Sequence, residues 1–230
     1  DTISSSMNLV FLLTLPSACG LIVLGEPIIR LIYERGHFDS LATQMTATAL
    51  VGYSVGLTGY AAIKILSPAF YALDDAKTPM IIALASIVVN FAGCYGLREW
   101  FSHYGVTPET PFGYGHVGVA LATSLVALVN FTALAYLLRR KISRLNGRSI
   151  LSAFVKIAIS SAVLSVVCYA SYHFILARYG SKGITLHLIE AFVPIALGGA
   201  AFVVCAMLLR VHELHQLYAM ISKRFRRSAA

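Results

Sequence analysis

Charge is what this chain has least of. Only 12% of its 230 residues are Asp, Glu, Lys or Arg, about half the roughly 25% of an ordinary soluble domain. So few charges cannot cover the surface of a globule in water. Cysteine is sparse as well: Cys19, Cys94, Cys168 and Cys205 stand singly inside apolar runs. None has a second Cys or a His at metal-ligand spacing, so they read as small packed hydrophobes, not as a disulfide or zinc framework. Seventeen Gly and seven Pro are too few for a fibrous or disordered chain. Paired carboxylates, a Gly-rich phosphate loop and a nucleophile elbow are all missing, which speaks against an enzyme. The chain opens on Asp1 without a Met, which points to a piece of something longer.

What is there is apolar. Hydrophobic residues make up 58%, and the mean hydropathy is +0.76. A membrane-spanning helix takes roughly 20 such residues, and six runs are long enough: 4–24, 43–70, 79–97, 115–138, 151–177 and 185–209. They are too long, and alternate too little, for the strands of a barrel. The prediction is an all-α, polytopic helical membrane protein, with a single six-span domain over 1–210 and a basic tail over 211–230. Leu214, Leu217, Tyr218, Ile221 and Phe225 recur at helical spacing in that tail, so it reads either as a helix at the membrane surface or as a solvated, frayed tail. Pro16, Pro68 and Pro194 fall inside spans and predict kinks or breaks, a common device in transporters.

The net charge of +8 would suggest nucleic acid in a soluble domain. Here the basic residues sit outside the apolar runs, and no nucleic-acid partner is expected. Six spans put both termini on one face. That face carries eleven Lys and Arg, among them Lys77, Arg139, Arg140, Lys141 and the tail cluster, against five on the other. The positive-inside rule makes the richer face, and the C-terminus, cytoplasmic.

Ionisable and amide groups within spans are the candidates for function. Lys64 is the deepest. It either snorkels to the cytoplasmic interface or meets an anionic headgroup or a carboxylate. Lys156 and Glu190 read as reaching the nearer interface. Asn90 and Asn130 need partners, and Thr123, Ser124 and Thr132 could supply them across helices. Ser161, Ser165, Gly198 and Gly199 either let the last two helices touch or leave a groove between them. Asp74-Asp75 before Lys77-Thr78-Pro79 reads as a turn that starts the third helix.

Several strings then resemble a known family. They are Leu15-Pro16-Ser17-Ala18 with Gly20-Leu21, Arg30-Leu31-Ile32-Tyr33-Glu34-Arg35-Gly36-His37-Phe38, and Tyr53-Ser54-Val55-Gly56-Leu57. The run Lys64-Ile65-Leu66-Ser67-Pro68-Ala69-Phe70-Tyr71-Ala72 with Lys77-Thr78-Pro79 is the most specific, and Gly118-Val119-Ala120-Leu121-Ala122-Thr123-Ser124 follows. Together they resemble the MurJ/MviN family of bacterial lipid II flippases, within the MOP exporter superfamily. The resemblance runs through about Leu138 and continues in hydropathy beyond it. It implies the last six spans of a fourteen-span, two-lobed protein of the inner membrane, with a cytoplasmic C-terminus and a role in peptidoglycan and cell-wall biogenesis. The implied partners are undecaprenyl-pyrophosphate-linked peptidoglycan precursor, the missing N-terminal lobe and membrane lipids, and the implied mechanism is alternating access. A drug or polyprenyl-linked oligosaccharide exporter of the same superfamily is the alternative.

By the same resemblance the last two helices form a lipid-binding groove, to which Ser161 and Gly198 would contribute; with the in-span Lys64 and Asn90 they are the candidate substrate-binding residues. No cofactor is expected beyond possible coupling to Na+ or the membrane potential. In some members a cation sits between central spans, on an Asn, an acid one turn on, and Thr or backbone oxygens. Asn90 and Thr123 match that pattern, but Cys94 stands in the acid's place.

Overall fold

The computed structural model describes residues 2–34, 38–107, 110, 113–142, 147–179, 183–211 and 214. Six α-helices follow one another: α1 Thr2–Tyr33, α2 Ser40–Tyr71, α3 Lys77–Ser102, α4 Gly115–Lys141, α5 Gly147–Tyr179 and α6 Ile184–Leu208. All six are long and apolar enough to cross a membrane. The predicted surface helix over 211–230 lies outside the described residues, apart from Val211 and Leu214.

Each helix is continuous through its prolines, including Pro16 and Pro27 in α1, Pro68 in α2 and Pro194 in α6. The breaks expected at Pro16, Pro68 and Pro194 are therefore not seen. The other difference is at the end of α1. Gly25-Glu26-Pro27 looks like a turn, and the first span was expected to stop at Leu24. The helix instead runs on for two more turns, and Arg30 lies within it. Ion pairs along one face, from Arg30 to Glu26 and to Glu34, each four residues away, favour this extension.

The helices do not pack in chain order. α2 packs chiefly on α4 and α1, while α3 packs on α4 and barely meets α2. The α2–α4 seam is built from residues without bulk. Gly52, Gly56 and Gly59 on α2 face Ala120, Ser124 and Ala127 on α4, so closely that a Cβ on Gly56 would lie 2.6 Å from Ser124 Cα. Lipid tails are as apolar as side chains, so close backbone approach and hydrogen bonds, not hydrophobic transfer, hold such helices together. The buried Ser124 hydroxyl donates to the Gly52 carbonyl at 2.6 Å, a bond that only this proximity allows. Gly118 does the same for α3: a Cβ there would meet Leu97 O at 2.3 Å.

α5 and α6 pair with each other and lean on α1. Two ends of the bundle can now be distinguished. At the Asp75 end, Phe11 on α1 makes edge-to-face contacts with Phe131 on α4 (6.1 Å) and Phe154 on α5 (5.3 Å), knitting the arms of the bundle together. The short α2–α3 turn is latched there as well. Asp75 accepts from the Thr78 backbone N–H (3.1 Å) and hydroxyl (2.6 Å) and is bonded by the Lys141 ammonium from the end of α4. The hydrogen bonds from Lys141 and Thr78 hold the Asp75 carboxyl down to about 2. At the opposite, Arg30 end, Asp39 caps α2 by accepting from Ala42 N at 2.8 Å.

Candidate functional site

Three places among the described residues are candidate sites. The first is an apolar groove of about 510 Å3 between α1, α5 and α6. Pro16, Gly20 and Leu24 form its α1 wall, Leu164 and Cys168 come from α5, and Gly199 and Phe202 come from α6. It is roomy because Gly20 and Gly199 leave it open. A Cβ on either would meet nothing within 4 Å. Gly198, one residue away, points elsewhere: a Cβ there would lie 2.3 Å from Cys168 Sγ, so this glycine brings α6 against α5. Ser161 is wholly buried, and its hydroxyl has no hydrogen-bond partner. Of the small residues expected to leave a groove, Gly198 lies in helix packing and Gly199 does line the groove, whose open side it forms together with Gly20.

The second place is at the Asp75 end. Lys64 is exposed beside an apolar crevice of about 420 Å3 formed with Ile3 and Ser6 of α1, Pro68 and Leu73. No carboxylate among the described residues pairs with it. It is an ammonium at the rim of a slot.

Asn90 on α3 and Thr123 on α4 are joined through intervening groups. Cys94 Sγ donates to Asn90 Oδ1 at 3.6 Å and to Val119 O at 3.9 Å, while Thr123 donates to that same Val119 O at 3.0 Å. The four groups make one polar thread between α3 and α4. Among the described residues no group of three His, Cys, Asp or Glu could hold a metal ion.

The third place was not anticipated. Arg30, expected in a loop, and Glu190, expected at an interface, meet at the Arg30 end. Arg30 is only 18% exposed and Glu190 is completely buried, with 3.8 Å between Arg30 Nη1 and Glu190 Oε2. Glu26 binds the same guanidinium at 2.6 Å and Glu34 at 3.4 Å. Thr43 of α2 in turn donates to Glu34 at 2.9 Å. Beside them opens a pocket of about 620 Å3, lined also by Tyr169, Tyr172 and His173 of α5 and by Gly183 and His187.

Comparison with known proteins decides the affiliation. A family model described as "Lipid II flippase MurJ" matches residues 1–190. The chain belongs to that family. Similar proteins include the probable lipid II flippase MurJ of Rhizobium meliloti (strain 1021), 42% identical over 51% of this chain and 22% of that protein. That of Rickettsia prowazekii (strain Madrid E) is 35% identical over 55% of this chain and 22% of its own length. The lipid II flippase MurJ of Thermosipho africanus (strain TCF52B) is 31% identical over 58% and 26%. The chain thus spans about a quarter of the length of the curated relatives it matches. A solved structure, "Lipid II flippase MurJ, inward closed conformation", is 24% identical and covers 91% of this chain and 42% of that one, with a TM-score of 0.62. That likeness concerns the fold.

Within the MurJ family this chain is a multi-pass membrane protein. Its Arg30–Glu190 contact could not have been found by spacing, because the two residues are 160 positions apart. The available signal was physical. A carboxylate six residues inside an apolar helix such as α6 demands a cationic partner, and Arg30 was within reach once α1 ran past Leu24.

Proposed function

We propose that this chain is the C-terminal, six-helix part of a flippase that carries an undecaprenyl-pyrophosphate-linked peptidoglycan precursor across the bacterial inner membrane by alternating access. The Asp75 end faces the cytoplasm, with both ends of the chain on that side. The chain spans about a quarter of its relatives, and in this reading the remaining lobe of the same protein supplies most of the pyrophosphate contacts.

The observation that carries this reading, beside family membership, is the apolar groove between α1 and α6. Its lining carries no charge, so a pyrophosphate placed there would be stranded at prohibitive cost. A polyprenyl tail needs only apolar walls and room. Lys64, exposed at the cytoplasmic end beside its crevice, is the cation placed to meet an anionic headgroup entering from the inner leaflet. Gly198 acts indirectly, by setting how close α6 lies to α5. If the protein couples to Na+, then Asn90 Oδ1, Val119 O and Thr123 Oγ1 are the oxygens the ion would meet.

The test fills the groove where filling is sterically free. Gly20→Leu with Gly199→Leu, in the full-length protein, should cut crosslinking to a photoactivatable polyprenyl tail and make lipid-linked precursor accumulate on the inner leaflet. Undiminished crosslinking in a well-folded variant would reject the groove as the tail site.

A further inference from the structure

We infer that the α5–α6 hairpin is a movable arm, pivoted where Phe154 packs on Phe11 and held shut at its far end by the buried Arg30–Glu190 ion pair. Nearly all the packing of α5 and α6 is with each other and with α1. The hairpin therefore rests on one helix, while α1, α2, α3 and α4 are joined through the glycine seams. Its aromatic anchor lies at the Asp75 end, and its ionic contact with α1 lies at the Arg30 end. Between the two runs the apolar groove, whose walls are α1 on one side and the arm on the other. Swinging the arm about the Phe154 end would widen the groove along its length.

The ionic contact has the chemistry of a reversible clasp. Arg30 is held on its own helix by Glu26 and Glu34, and Glu34 is fixed by Thr43 of α2. When Glu190 leaves, the guanidinium keeps two carboxylates and is not stranded. An ordinary buried pair gives no such choice, because parting it leaves two uncompensated charges. Glu190 itself would move toward the pocket of about 620 Å3 that flanks the pair, where His187 of the arm and His173 of α5 offer polar surroundings and water has access. Closing the arm desolvates the Glu190 carboxylate, and the clasp holds because the nearly buried Arg30 guanidinium more than offsets that cost. The arm would move in this way whatever the groove holds.

The experiment places spin labels in the full-length protein at Gln44 on α2 and Phe192 on α6, both exposed, and measures their separation by pulsed electron resonance. A second pair, Phe174 and Phe192, reports on the hairpin alone. Glu190→Gln keeps the shape and removes the charge. It should lengthen the first distance by about 5 Å, the scale of a one-turn helix displacement, and leave the second unchanged. Arg30→Gln, which removes the other half of the clasp, should lengthen the first distance as well. An unchanged first distance overturns the clasp. A change in both distances means the hairpin has come apart, and overturns the arm. An Arg30→Gln variant whose first distance is unchanged also overturns the clasp.

Discussion

Adding one methyl group to Gly56 puts the α2–α4 seam to its sharpest test. A Cβ there would sit 2.6 Å from Ser124 Cα, 2.7 Å from its Oγ and 2.8 Å from its Cβ, whereas ordinary contact begins at 3.4 Å. Backbone on both sides leaves no flexible atom to yield, so the helices must part by 3.4 − 2.6 = 0.8 Å. A gap of that size forfeits a quarter to a half of the dispersion energy of neighbouring contacts, and overpacking of this kind costs about 1–3 kcal/mol. The Ser124–Gly52 hydrogen bond stretches as well, for roughly 0.6 kcal/mol more. Against this stands the helix propensity gained on replacing Gly by Ala, about 1 kcal/mol. The net expectation for Gly56→Ala is a loss of about 0.6–2.6 kcal/mol. Gly96 lies on α3 with nothing within 4 Å of an added Cβ, so Gly96→Ala keeps the propensity gain and should be neutral or stabilising. The two substitutions are chemically identical and opposite in expected sign. Unfolding of the purified full-length protein by denaturing detergent in mixed micelles measures both. If Gly56→Ala were as stable as Gly96→Ala, close backbone approach would not be what holds α2 to α4.

Gly118→Ala should loosen α3 from α4 by the same mechanism, since its Cβ would meet Leu97 O at 2.3 Å; thiol labelling of the half-buried Cys94 should accelerate. The Asp75 latch predicts a pH dependence. Its carboxyl is held at about 2, below the ordinary 3.8, so its contribution is complete above about pH 4 and is lost as pH falls toward 2. Thermal melts of wild type and Asp75→Asn should therefore differ at pH 7 and converge near pH 2; equal melting temperatures at both pH values would refute the latch. Lys64→Met should impair flipping at normal membrane levels, while Lys64→Arg retains part of it; a fully active Lys64→Met protein would reduce Lys64 to a snorkelling side chain. For topology, an impermeant thiol reagent applied to intact cells should label Gln44→Cys but not Ala76→Cys, and the reverse pattern would invert the bundle.

The six helices were legible because hydropathy over some twenty residues is a strong signal that little else imitates. Where α1 ends was not. Gly25-Glu26-Pro27 carries every local mark of a turn, and only the Glu26–Arg30–Glu34 pairing, which needs the helix already formed, argues the other way. Small residues were noticed in the last two helices, where Gly198 does make a contact, but the tighter seam lies between α2 and α4. Spacing shows that glycines share a face of α2, yet it cannot show which helix that face meets when the partner is not the next one in the chain. Asn90 and Thr123 were correctly placed on neighbouring helices, but the thiol and carbonyl that link them became visible only in three dimensions. Lys64 stood out from the sequence alone, since a lone cation in an apolar run needs no partner to attract notice.

The mismatch between chain order and packing order has a consequence for how the protein is made. α2 leaves the ribosome with its glycine face bare, and the helix that will cover it is α4, not the one that follows. All of α3 and the connection to α4 must be synthesised first. During that interval a stripe of exposed backbone faces lipid or the insertion machinery, open to any other helix that fits it. The length of α3 is therefore also a delay. A variant that slowed the insertion of α4 would be harmed before folding was complete, by prolonging the time α2 spends without its partner, even if its finished structure were as stable as wild type.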